Sequence, residues 1–356
     1  MPNAGNLLNK QGRANALPLR ASMMKPQPFW KSNWFRVTVG TLISLAFIFL
    51  ALKDVPLDEV ARVLANANYV WVFIGIVTIL AQSWIRAVRW IQLYYPLERG
   101  LRAWHMFGIV LISQMLNILI PWRVGEIARL YLASEIEKRD AAQTLATLAT
   151  EKAFDTLMLL LLLVAIPPFM TVALPSRLEE ARAGLVILTV VFFAGLFVLL
   201  VLRDPLIRWL DQIPFRLRGQ SFGDYARKAL TSLEVFKRWD VHLGLQIESI
   251  VMWALGAVIN YFIFMALGLD VPIIGAFVLL AVLQVGGIVP SSPGKVGVFQ
   301  YLCILTLALF GVGKTEGLVY GILLYLVAYG VPVILGIVFL WYYGVNLRRV
   351  TASEPQ

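Results

Sequence analysis

Two carboxylates, Glu151 and Asp155, stand four residues apart, a spacing that puts both on one face of a helix. Lys152 lies beside them, and Glu126 and Arg129 form a second acid–base pair further upstream. Arg86 and Arg89 flank the end of an apolar run, where they can guide headgroups, pair with those acids, or snorkel and fix orientation. Burying an ionised group in lipid costs at least about 2.5–3.5 kcal/mol. Charges at membrane depth therefore need a partner or a wet cavity. Such a set can hold a charged headgroup, supply counter-charge, or drive a proton-coupled switch.

A second signal is a short internal similarity. Pro121-Trp122-Arg123-Val124-Gly125 and Pro293-Gly294-Lys295-Val296-Gly297 both read P-x-(basic)-V-G, and both follow an apolar run. Pro lacks an N–H and Gly tolerates unusual backbone angles, so each stretch breaks a helix and exposes a helix end. A helix N-terminus presents N–H groups and partial positive charge to an anion, and Arg123 and Lys295 add full charges there. A lipid phosphate fits that description. Two breaks in matching places of two halves point to a substrate site in a transporter built from repeats.

The elements that must position these residues are apolar helices. Of 356 residues, 59% are hydrophobic and 15% charged, against about a quarter charged in a soluble domain. The mean hydropathy is +0.76. Asp, Glu, Lys and Arg are missing from 37–52, 63–85, 103–122, 156–176, 183–202, 249–269, 271–294, 296–313 and 317–347. A spanning helix needs roughly 20 mostly apolar residues, and most of these runs are long enough. Backbone groups in lipid must be satisfied internally, and Leu-rich blocks such as 157–164 do not alternate as barrel strands do.

Charge between the runs sets orientation. The basic tail 1–36 carries six basic residues and no acid and is expected in the cytoplasm, with the tail 348–356. The segment 53–62 is expected as an outside loop. The segment 203–240, with eight basic and five acidic residues, is expected inside, and its 222–236 portion has the pattern of an amphipathic helix. Parity then makes 103–122 start inside and return inside, as a re-entrant hairpin broken near Pro121 would. The segment 271–313 reads equally as two crossings or as a second hairpin. The remaining 37–347 forms one transmembrane domain. The fold expected is an all-α polytopic membrane protein of about 6–8 spanning helices, with one or two re-entrant broken segments and an inverted internal repeat.

Other classes are disfavoured. The net charge of +10 is accounted for by topology rather than nucleic acid. Cys303 is the only cysteine, and His105 and His242 are too isolated for a metal site, so neither metal nor cofactor is expected. Gly313-Lys314-Thr315 resembles the end of a phosphate-binding loop, but Ala308 stands where that motif requires Gly.

Four motifs in order resemble one family. They are Arg86-Ala-Val-Arg89-Trp90, the run from Asn117 through Pro121, Arg123, Gly125 and Glu126 to Arg129, the run Glu151 to Asp155, and Pro290-Ser-Ser-Pro293-Gly294-Lys-Val-Gly297-Val-Phe299-Gln300. Together they look like the lysylphosphatidylglycerol synthase transmembrane-region family, also described as flippase-like. The resemblance implies a lipid-translocating bundle of the bacterial cytoplasmic membrane, with an anionic or phosphate-bearing lipid as partner. It does not imply lysyl transfer, which belongs to a separate soluble domain in the two-domain synthases. No enzymatic activity is therefore expected. The family often carries Glu at the position of Gln300, so a proton or cation role is not expected there. The headgroup set is Arg86, Arg89, Asn117, Arg123, Glu126, Arg129, Glu151, Asp155, Lys295 and Gln300, with breaks at Pro121, Gly125, Pro293, Gly294 and Gly297. A membrane-embedded transferase, or a non-catalytic partner of lipid- or polysaccharide-synthesising enzymes, are the competing expectations.

Overall fold

The computed structural model describes residues 33–96, 98–120, 124–169, 184, 186–192, 194–195, 198, 202–210, 216–217, 220–221, 239–287 and 293–344. The basic tail before residue 33, the C-terminal tail, Pro121, Arg123 and the amphipathic pattern at 222–236 lie outside the described residues. The chain divides into Met1–Val39 and Gly40–Gln356. The first unit contributes only the opening turns of α1 (Asn33–Leu52), and the second carries everything that follows.

After α1 come α2 (Leu57–Ala65), α3 (Tyr69–Gln92), α4 (Ala103–Leu119), α5 (Val124–Glu137) and α6 (Ala141–Ala165). Asn68 starts α3 by accepting the Val70 N–H, and Asp140 starts α6 by accepting those of Ala142 and Gln143. The segment 203–240 holds α7 (Arg203–Leu210) and a two-residue antiparallel pair, β1 (Arg216–Leu217) with β2 (Gln220–Ser221). Then follow α8 (Trp239–Leu267), α9 (Ile273–Gly286), α10 (Val298–Ala308), α11 (Lys314–Tyr325) and α12 (Val331–Tyr342), the last two joined by a π-turn at Leu326–Gly330. Among the described residues, Tyr69–Gln92, Leu243–Leu267 and Lys314–Tyr342 are long and apolar enough to cross a membrane.

Helices extend beyond the uncharged runs wherever a charged face is satisfied by neighbours. The helix α2 stands where 53–62 reads as loop, with Asp58 and Arg62 paired along its exposed side. The helix α6 begins fifteen residues before its apolar run, which sets Glu151 and Asp155 in its middle.

The helices α3 and α8 run antiparallel. Asn68 N–H donates to the Ala266 carbonyl at one end, and Gln92 donates to Glu248 near the other. The helices α4 and α5 form a hairpin, closed where Gly125 N–H donates to Asn117 Oδ1 at 2.9 Å. Its open ends meet where His105 bonds Glu137 and Arg139 donates to the Arg99 carbonyl. That is the end where α3 finishes. The helices α9 and α10 form a second hairpin, with Gly286 facing Leu302 near the closed end and Gly275 facing Phe310 near the open one. It opens at the end where α3 starts, because α11 follows it directly and Lys314 and Thr315 bond the Lys53 carbonyl and Glu59 there. The two hairpins therefore enter the bundle from opposite ends.

Their tips meet halfway. The hydroxyl of Tyr343, just past α12, reaches the Trp104 and His105 carbonyls, and Gly336 packs on Met115. The end of α4 at Leu119 is thus level with the start of α12. The second tip is fixed by Tyr325, whose hydroxyl donates to the Gly294 carbonyl at 2.8 Å. The π-turn lies between these two levels.

The apolar interior is split the same way. One core joins the last turns of α3 to α4, α5, α6 and α12 around Trp90, Leu111 and Phe339. The other joins the first turns of α3 to α8, α9, α10 and α11 around Ile263, Leu279 and Tyr320. Along α3 the first core ends at Ala87 and the second at Ile79, which leaves Gln82, Ser83 and Arg86 at the border.

Candidate functional site

Charge collects on that border. From α3, Arg89 places Nη2 at 2.8 Å from Asp155 Oδ1 and 3.7 Å from Glu151 Oε1, and donates Nη1 to Ser249 Oγ of α8 at 2.9 Å. From α5, Arg129 brings Nη2 to 2.9 Å from Glu151 Oε2. Its guanidinium lies 3.9 Å from the centre of the Trp90 ring, a cation–π contact. The Trp90 indole N–H is in turn held by Thr147 of α6 at 3.0 Å. Lys152 bonds Glu126 at 2.8 Å, and Glu126 lies 3.8 Å from Arg129.

Glu151 is the hub. Its side chain is 1% exposed, as is that of Arg89, and that of Arg129 is 3%. Neither carboxylate oxygen of Glu151 has an aligned hydrogen bond among the described residues, so three surrounding guanidiniums hold it by charge. The sequence produces this arrangement simply. The Arg86/Arg89 face of α3 meets the Glu151/Asp155 face of α6, and the hairpin packs Arg129 against the same carboxylate. Leaving one member of such a buried network without its partner costs about 3–5 kcal/mol.

Arg86 differs from its neighbours. It lies 4.0 Å from both Glu151 Oε1 and Asp155 Oδ2, beyond hydrogen-bond range, and 28% of its side chain is exposed. It opens on a cleft lined by Gln82, Asp155, Met252, Trp253, Leu280 and Gln284, with about 330 Å³ of space that is partly open to the exterior. The lining comes from α3, α6, α8 and α9, so the cleft lies where the two cores abut and reaches toward the second hairpin's tip.

The breaks are built as tight corners. A Cβ on Gly125 would stand 2.0 Å from the Ser113 carbonyl oxygen and 2.7 Å from the Asn117 side chain, so only glycine lets α5 lie this close to α4. At the second tip Gly294 and Gly297 have φ of 78° and 87°, the left-handed region that favours glycine. Gln300 caps α10 by accepting the Gly297 N–H at 2.7 Å. The Lys295 ammonium lies over Gly287, at the end of α9.

Of the residues singled out in the sequence, the structure brings Arg86, Arg89, Glu126, Arg129, Glu151 and Asp155 into one cluster. Asn117 shapes the first tip, and Lys295 and Gln300 belong to the second. Trp90 stands beside Arg89 in the first motif, yet its role under Arg129 is not readable there. Ser249, Gln82, Gln284 and Trp253 were missed. Their only signal is a neutral polar or indole group within or at the edge of an uncharged apolar run.

A bundle of long apolar helices enclosing an ion network between them defines a helical membrane protein. Residues 37–336 match the family described as the lysylphosphatidylglycerol synthase TM region, and the chain belongs to that family. A UPF0104 membrane protein of Methanocaldococcus jannaschii is 22% identical over 316 residues, covering 84% of this chain and 92% of that relative. A UPF0104 membrane protein of Methanothermobacter thermautotrophicus is 22% identical over 332 residues, covering 88% and 96%. A shorter likeness, 31% identity over 125 residues, links 34% of this chain to 20% of the glycosyltransferase AglD of Haloferax volcanii.

Proposed function

We propose that this protein moves phosphate-bearing lipids between the leaflets of a bacterial cytoplasmic membrane, with its N-terminus in the cytoplasm. One observation carries the reading: a charged cluster opens on a cleft at the border of two cores, and the hairpins flanking that border enter from opposite ends and stop halfway. At 1.5 Å per residue the hairpin helices are roughly 16–25 Å long, short of the ~30 Å hydrocarbon core. Each hairpin is therefore read as re-entrant. Broken backbone at membrane depth is tolerated where it is buried in protein or lines a polar cavity, and both tips meet that condition.

The moving parts follow from the two cores. The helix α12 travels with the first hairpin and α11 with the second, so the π-turn at Leu326–Gly330 is the joint between them. Rocking about it exposes Arg86 to one side of the membrane and then the other. The buried pairs Arg89–Asp155 and Arg129–Glu151 keep the first half rigid while Arg86 takes the phosphate.

The test is reconstitution into liposomes with lipids fluorescently labelled on an acyl chain, read by quenching of the outer leaflet. Wild type accelerates loss of the protected inner-leaflet signal, and Arg86→Gln, Arg123→Ala and Asp155→Asn do not. Full transport by all three variants rejects the site. The likeness to part of a glycosyltransferase favours a second reading, a non-catalytic membrane partner of lipid- or polysaccharide-synthesising enzymes. It predicts that purified protein leaves the lipids where they are and that the same variants keep their function in cells.

A further inference from the structure

We infer that the cleft selects a headgroup carrying a cationic centre beside its phosphate, a zwitterion, over a headgroup with phosphate alone. The inference rests on the lipid-translocation reading and specifies its substrate class. Arg89 and Arg129 are buried and committed, the first to Asp155 and Ser249, the second to Glu151 and the Trp90 ring. What reaches the cleft is Arg86 together with Asp155, whose side chain is 20% exposed. Arg89 engages Asp155 Oδ1, and among the described residues Oδ2 has only Arg86, at 4.0 Å and without a hydrogen bond.

The cleft thus offers one open guanidinium edge and one open carboxylate oxygen 4.0 Å apart. A phosphate on Arg86 would stand against the Asp155 carboxylate, and at that range like charges repel strongly outside bulk water. An ammonium two or three bonds from the phosphate turns the repulsion into attraction, because it settles on Asp155 as the phosphate settles on Arg86. The rest of the lining suits that guest. Gln82 and Gln284 are neutral and polar, and the Trp253 ring offers an electron-rich face to a cation. Gln82 is positioned by donating to the Met252 carbonyl at 2.6 Å.

The experiment compares acyl-chain-labelled phosphatidylethanolamine and phosphatidylglycerol in liposomes holding the full-length protein, with and without soluble phosphoethanolamine. The ethanolamine lipid is expected to move about tenfold faster, a discrimination of ~1.4 kcal/mol. Asp155→Asn should erase or reverse that preference, and Asp155→Glu should keep it. Equal rates in wild type, or a faster glycerol lipid, overturn the zwitterion inference and leave lipid translocation standing. Movement of neither lipid overturns both. Binding of soluble phosphoethanolamine without movement of either lipid also overturns it, by assigning the cleft to a free solute. The wild-type comparison decides the matter even if Asp155 variants fold poorly.

Discussion

Arg89 and Asp155 are joined by a 2.8 Å ion pair that ties α3 to α6 from inside the bundle. The residue beneath, Glu151, shares the same guanidinium at 3.7 Å. A buried charge that loses its partner is costly, whereas removing both together relieves the desolvation that each imposes. Arg89→Met is therefore expected to destabilise the protein by about 3–5 kcal/mol. Arg89→Met with Asp155→Leu should cost less than the sum of the two single changes. Denaturation in detergent micelles, followed by intrinsic tryptophan fluorescence, measures the cycle.

Arg86 should separate function from stability. Its contacts are at 4.0 Å and its side chain is part-exposed, so Arg86→Gln is expected to change stability by less than about 1 kcal/mol. Translocation should nevertheless fall by tenfold or more, about 1.4 kcal/mol or greater in the barrier. Melting temperature and flipping rate, measured on one preparation, show whether the two quantities part company.

Gly125 makes a steric prediction. The methyl of Gly125→Ala would lie 2.0 Å from the Ser113 carbonyl oxygen, and backbone on that side cannot step aside cheaply. A loss of about 1–3 kcal/mol is expected, with the first hairpin loosened. Gly195→Ala, whose Cβ meets nothing within 4 Å, is the matched control and should melt as wild type does. Hydrogen exchange in α5 reports whether the loosening is local.

The π-turn can be removed. It holds one more residue than an α-turn, so deleting the exposed Leu326 lets α11 run straight into α12. The shortened protein is expected to fold and to melt no lower than wild type. Its flipping rate should drop about tenfold, a barrier rise of ~1.4 kcal/mol, because the two cores no longer pivot. An unchanged rate would remove the joint from the mechanism.

Much of this architecture was legible in the residues. The uncharged runs located the long helices, and the paired P-x-(basic)-V-G stretches located both hairpin tips. The spacing of Glu151 and Asp155 gave the acidic face of α6. What local spacing cannot contain is which face meets which: nothing near Arg129 in sequence says that it faces Glu151 over the Trp90 ring. The start of α6 was hidden because its first turns rely on Asp140 capping and on Thr144 and Thr147 bonding α3 residues, not on apolar periodicity. Gln82 and Gln284 were hidden because charge alone marked where runs ended, and an amide passes that criterion.

Two hairpins that enter from opposite ends give the protein a near-symmetry between the faces of the bilayer. Swapping the roles of the hairpins converts a cleft open to one leaflet into a cleft open to the other, through contacts of the same kind. Such a device carries no arrow of its own and equalises whatever imbalance it is given. Net flow is then written by metabolism: by the leaflet in which the lipid is made and the leaflet in which it is consumed.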